Sequence, residues 1–271
     1  MQPQLGKASV LQRPRFRSST QSPDDHRKEC VGKARASVLV AVAAYNVEAT
    51  LPGLLAQMPY DKVDEIVVVD DGSQDGTVSI ARSFPVTVIE HQSNKGVGAV
   101  IKTALKQALD YHHDIFVIMA GNGKDNPQEI PRLVMAIQEG YDYVQGSRFA
   151  AGGKSENLPL FRRMLVPSSA LLYRMLTGFH GTDALNGFRA YRLSLLQDPR
   201  INVWQDWLDH YELEMYLHYK ALSLGYNVKE VPVTKSYKHF PKGAAYSHIR
   251  PFVDWWSIIR PIVYLSLGLR K

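Results

Sequence analysis

The chain has 271 residues, 45% of them hydrophobic and 21% charged, enough for one large α/β domain with a sizeable core. One cysteine, Cys30, excludes a disulfide framework, and no apolar run reaches the ~18 residues that would span a bilayer. The net charge of +6 is uneven: residues 1–36 hold eight basic against three acidic side chains, 235–271 seven against one, and the middle is acidic. Basic ends around an acidic middle do not form the single basic stripe of a nucleic-acid-binding face. They suit an anionic membrane surface or an acidic acceptor. The amino end lacks the apolar core of a secretory signal, so the expected location is cytoplasmic, or peripheral on the inner face of a membrane.

Residues 1–36, rich in Ser, Gln, Pro and Arg, read as a disordered basic tail. Ser37–Tyr45 is an apolar run that reads as a strand ending in a turn at Asn46. Helical spacing follows over Ala49–Met58. Glu65–Asp70 reads as a buried strand, Gly76–Phe84 as a helix and Val86–Glu90 as a short strand. Gly98–His112 is a long helical segment, opened by Asn94-Lys95-Gly96-Val97-Gly98. Ile115–Met119 is another buried strand, and Pro127 stands where a helix to Glu139 would start. Tyr141–Gln145, Gly187–Arg192 and Val228–Val233 read as strands, Leu160–Leu176 and Tyr211–Leu224 as helices. Strands alternating with helices predict a Rossmann-like α/β fold, a mostly parallel sheet flanked by helices. The last segment, 246–271, carries Trp255-Trp256 and an apolar stripe among Arg250, Arg260 and Arg270. It reads either as an interfacial membrane helix or as a helix packed on the domain.

Five polar loops follow apolar strands: Asn46–Glu48, Asp70–Gly76, Asn94–Gly98, Gly121–Asn126 and Gly146–Arg148. Ligands of open α/β sheets bind outside the carboxyl ends of the strands, so these loops should meet at a site. Asp70 and Asp71 end a strand there, although a helix-capping turn through Ser73 or Asp75 explains the same residues. The Asn94–Gly98 loop lacks the Gly-Lys-Ser/Thr of a P-loop, and its glycines serve phosphate binding or close backbone packing equally well. Asn122 and Asp125 offer oxygens to a hard cation, a weak set unless substrate phosphates complete it. Arg148 and Arg162 could clamp a phosphate through their rigid guanidinium forks.

Ala44-Tyr45-Asn46, VVVDDGSQDGT, NKGVGA, DYVQGSRF, GGKSENLPLFRR, NGFRAY, HYELE and KEVPV occur in that order. In this the chain resembles the family 2 glycosyltransferases of the GT-A fold, and among them the dolichyl- and polyprenyl-phosphate sugar synthases. The resemblance covers about 37–246 and implies a glycosyltransferase domain over 37–245. It implies inverting transfer from a nucleoside diphosphate sugar, with a polyprenyl phosphate as leading acceptor. Ala43, Tyr45 and Val69 would line the nucleoside pocket, with Asp71 on the base or ribose. Gly121, Asn122 and Lys124 would meet the donor diphosphate and a Mg²⁺ or Mn²⁺ ion, and Lys242 would grip the same diphosphate from a late loop. Arg148 and Arg162 would hold the acceptor phosphate, Glu214 would stand near the acceptor, and Asp183 and Arg189 would wall the site. Two departures bear on the metal and donor: Ala120-Gly121-Asn122 replaces the family's Asp-x-Asp, and Val47 replaces a Glu. Two other readings remain, transfer to a sugar hydroxyl with Glu214 as base, and a sugar-nucleotide-binding pseudoenzyme.

Overall fold

The computed structural model describes residues 35–158, 160–237 and 253–270. Seven strands form one sheet: β1 (Val38–Ala44), β2 (Glu65–Asp70), β3 (Thr87–Glu90), β4 (Ile115–Ala120), β5 (Tyr143–Ser147), β7 (Arg189–Arg192) and β8 (Val228–Pro232). Their order is β3-β2-β1-β4-β7-β5-β8. All pairings are parallel except those of β7, which runs antiparallel to both β4 and β5. The mostly parallel sheet expected from the alternation is thus present, with β7 the departure. A two-stranded parallel ribbon, β6 (Lys154–Glu156) with β9 (Thr234–Ser236), adds to it. Neither of its strands shows in the sequence, because three residues are too few to display an alternation.

β1 lies between β2 and β4 and is covered on both faces, so its sequence is one continuous apolar run. Val38, Val40 and Val42 face a core shared with α1 (Leu51–Leu55) and α4 (Ile130–Gln138). Leu39 and Ala41 face α3 (Val97–Asp110) and α6 (Glu212–Ser223). α1 spans five residues where helical spacing suggested ten, with Pro52 in its first turn. Pro131 has no N–H to give the Pro127 carbonyl, and the expected helix accordingly starts as a 3-10 turn over Pro127–Glu129. α2 spans Thr77–Arg82 and α5 spans Leu160–Thr177.

α7 (Val253–Ser266) packs on α6. Ile262 joins Tyr173 of α5 and Met215 of α6 in one apolar cluster. Arg260 reaches the buried Glu212, Nη2 to Oε1 2.5 Å. The contact is ionic and off the hydrogen-bond angle, since both Glu212 oxygens lack an aligned donor. Among the described residues, no helix is long and apolar enough to cross a membrane.

His218 of α6 is buried among the rings of Tyr143, Tyr173 and Phe179, and neither ring nitrogen has a hydrogen-bond partner among the described residues. Burial, and secondarily the Arg189 charge, holds its pKa well below 6.5. The unfolded chain therefore binds a proton that the folded one refuses. Stability is complete above the unfolded pKa and falls as pH drops below it. The expected slope is about 1.4 kcal/mol per pH unit below ~6.5. Melting curves at pH 7.5 and 5 should show this fall, and His218→Phe should reduce it.

Candidate active site

At the end of β2 two carboxylates are buried for reasons of their own. Asp70 Oδ2 accepts the N–H groups of Gly72 (3.1 Å) and Ser73 (2.9 Å), and its Oδ1 accepts the Ser73 hydroxyl. Asp71 Oδ1 accepts Lys95 N–H (2.9 Å) and meets His91 Nδ1 (2.7 Å), while its Oδ2 accepts Gly96 N–H (2.8 Å). Asp71 was expected to grip a base or ribose; in the structure both its oxygens accept hydrogen bonds from the chain, and these tie the 94–98 loop to β2. Val69 was expected to line the same pocket. Its side chain is fully buried against α3, in the core with Val100 and Ile101, and lines no pocket. Ala43 is partly buried and its carbonyl accepts Gly121 N–H at 2.8 Å; Tyr45 is partly exposed at the end of β1.

The loops at this edge are laced together. Asn46 N–H donates to Ser73 Oγ, Val47 N–H to Thr77 Oγ1 and Glu48 N–H to Asp75, while Glu48 accepts Gly76 N–H. Thr50 donates to the Gly121 carbonyl at 3.0 Å, which joins the post-β1 and post-β4 loops. The glycines of the 94–98 loop serve packing. A Cβ at Gly98 would strike the Leu208 carbonyl, and one at Gly96, whose φ is +100°, would strike His210. Backbone from the segment before α6 is thereby admitted against α3.

Beyond β4, Asn122 Oδ1 accepts Lys124 N–H at 3.2 Å. Lys124 is buried with its ammonium 5.9 Å from the Tyr237 ring, and its carbonyl accepts Ser236 N–H. Asp125 is buried and forked by Lys235, whose Nζ lies 2.8 Å from Oδ1 and 2.9 Å from Oδ2. The third donor of that ammonium goes to Asn186 Oδ1 at 2.9 Å. Asn122 and Asp125 therefore do not fit the expected divalent ion. Asn122 is an uncharged ligand already engaged, and the Asp125 charge is cancelled by an ammonium that fills its approach. No cluster of three or more metal-binding side chains occurs among the described residues. A groove of ≈ 420 Å³ opens beside this loop, walled by Thr50, Gln57, Lys124, Asn126, Thr234 and Ser236. Its volume falls within the range of small-molecule sites.

Arg148 follows β5. Its Nε and Nη2 meet Asp183 Oδ2 (2.6 Å) and Oδ1 (2.7 Å), and Nη1 donates to the Tyr237 hydroxyl (2.6 Å). Asp183 is itself fixed, since its N–H and that of Thr182 donate to Glu230. Burial opposes the Arg148 charge, but the Asp183 pair outweighs it and raises the pKa above the ordinary arginine value. The side-on fork expected to take a phosphate is thus occupied by Asp183, which leaves the remaining guanidinium N–H groups as the donors a ligand could use. Arg189 is fully buried, donating to Tyr143, Ala184, Asn186 and the Glu214 carbonyl. Burial lifts the Tyr143 hydroxyl to about 12, so it stays protonated. Glu214, in the first turn of α6, has Arg189 Nε 3.9 Å from Oε1 and no hydrogen bond to its carboxylate among the described residues. Lys242 and the Arg162 side chain lie outside the described residues.

The five loops therefore meet at one edge of the sheet. The model of the family described as Glycosyl transferase family 2 matches residues 39–198, more than half of the chain. The chain is a family 2 glycosyltransferase. Among its relatives, an undecaprenyl-phosphate mannosyltransferase of Micrococcus luteus is 31% identical over 73% of this chain and 82% of its own length. A polyprenol monophosphomannose synthase of Mycolicibacterium smegmatis is 32% identical over 72% of this chain and 76% of its own. Among solved structures, the glucosyl-3-phosphoglycerate synthase of Mycobacterium tuberculosis, crystallised with Mn²⁺ and UDP, superposes with a TM-score of 0.62 at 19% identity. That match covers 88% of this chain and 82% of the other and bears on the fold, which is GT-A. Within this glycosyltransferase, sequence reading missed Lys235, Asn186, Tyr237 and His91. None lies near its partner in sequence, so no local signal marked them.

Proposed function

We propose that this glycosyltransferase moves a sugar, with inversion, from a nucleoside diphosphate sugar to a polyprenyl phosphate at a membrane surface. The observation that carries the reading is the pair of relatives above 30% identity, each named for mannose and a polyprenyl carrier and each matching nearly three quarters of the chain. The chemistry agrees with the carboxylates of the site. A phosphate acceptor is ionised at neutral pH, and its oxygen attacks the anomeric carbon as the bond to the donor diphosphate breaks on the opposite face. The bonding pair leaves with the nucleoside diphosphate, and no proton has to be removed. Asp70, Asp71, Asp125 and Asp183 are all committed to protein partners, as a base-free transfer permits. Fixed positive charge is what such a reaction needs. Arg148, Arg162, Lys124 and Lys242 are the groups proposed to supply it, in place of an ion at Asn122 and Asp125.

One observation favours a second reading. Glu214 keeps a carboxylate without a hydrogen bond among the described residues, as a general base for a hydroxyl acceptor would. Glu214→Gln separates the two. Purified protein would be given labelled UDP- and GDP-sugars with either a polyprenyl phosphate or a glycoside, with and without EDTA. Transfer to the lipid phosphate should persist in EDTA and change little in the variant. Transfer to a hydroxyl would fall by about 10²-fold or more in Glu214→Gln, and that result would replace the first reading by the second.

A further inference from the structure

Among the described side chains of α5, one stripe is buried against the domain. Val166, Ala170 and Tyr173 are buried, whereas Met164, Leu171 and Met175 are 72%, 57% and 75% exposed. At ~100° per residue the two sets fall on opposite sides of the helix. The outward side, which water should make polar, instead carries long apolar side chains over about 17 Å. Leu172 extends it at one margin. Arg163 and Arg174, both exposed, fall together on the other flank by the same spacing, and α5 contains no Asp or Glu. α7 packs around the same cluster of Tyr173, Met215 and Ile262, and presents Trp256 and Ile259 to solvent.

We propose that this outer face of α5, continued by α7, docks on the surface of an anionic lipid bilayer. The apolar side chains would enter the headgroup boundary while Arg163 and Arg174 pair with lipid phosphates. Charge decides the occupant. A second copy of the chain would bring arginine flanks together with no carboxylate on either helix to pair them, whereas anionic lipid complements them. The inference builds on the lipid-phosphate reading and adds to it where the enzyme meets the membrane: at α5 as well as at the carboxyl end.

Flotation of the full chain with vesicles tests it. Wild-type protein should float with phosphatidylglycerol–phosphatidylcholine vesicles at low salt and much less with phosphatidylcholine alone. Leu171→Glu/Met175→Glu should lower the bound fraction about tenfold or more. Arg163→Gln/Arg174→Gln should remove the dependence on anionic lipid. Both variants alter exposed side chains, and both should melt with the wild type. A wild-type chain that stays at the bottom of the gradient, or variants that float equally well, would overturn the proposal. So would a wild-type dimer in light scattering that the glutamate pair dissociates. Transfer to a short-chain, water-soluble isoprenoid phosphate is read separately and should be the same in all three proteins. Its absence in the wild type would remove the acceptor reading while leaving the flotation result to stand by itself.

Discussion

Asp183→Ala is expected to destabilise the protein by about 3–5 kcal/mol and to abolish transfer. Arg148 keeps its charge at any accessible pH, and in this variant it would be buried with the Tyr237 hydroxyl as its remaining side-chain hydrogen-bond partner among the described residues. Desolvation of that guanidinium is tolerated because Asp183 meets it with two short, parallel hydrogen bonds. Glu230 holds the Asp183 backbone and so sets the angle of the fork. The arrangement predicts a second, opposite result. Arg148→Met with Asp183→Leu replaces the pair by apolar volume and should recover most of the melting temperature, since buried ion pairs are often no better than well-packed hydrophobes. Activity should not return, because the charge is gone. Thermal melts and transfer assays on the single and double variants decide it. A double variant that regained transfer would show that Arg148 serves only to hold the loop.

What the sequence disclosed and what it concealed divide along sequence separation. β1, β2 and β4 were legible because a strand buried on both faces is written as an unbroken apolar run. Their polar loops were legible because chain direction places them at one edge. The family motifs located Asp71, Arg148 and Glu214 but could not say what each side chain touches. Asp71 reads as a ligand from its place at a strand end, and nothing local shows that His91 and the Lys95 and Gly96 amides, twenty or more positions away, also bond to its oxygens. Lys235 stands 110 residues from Asp125, and its only local context is a short strand that pairs with the equally short β6. β7 was read as a strand but not as antiparallel, because its direction depends on the path through α5, which spacing does not record. Long-range partner choice is a property of packing, and a single sequence carries it only when a motif repeats it.

Lys235→Met should cost about 3–5 kcal/mol as well, which for a domain of this size lowers the melting temperature by roughly 10 °C. It strands the Asp125 carboxylate, which is almost wholly buried and receives both its side-chain hydrogen bonds from that ammonium. Asp125→Asn combined with Lys235→Met removes the stranded charge and should recover a large part of the loss. The same variants test how the donor diphosphate is neutralised. If Lys235 occupies Asp125 in the working enzyme, EDTA should leave the wild-type melting temperature unchanged and Mn²⁺ should not raise it. If a divalent ion displaced Lys235 during catalysis, Asp125 would be released to it. Mn²⁺ would then stabilise Lys235→Met more than the wild type, by RT ln(1 + [L]/Kd), about 2.7 kcal/mol at a hundredfold excess over Kd. Melts with and without Mn²⁺ separate the two, because the lysine and the metal compete for one carboxylate and cannot both hold it.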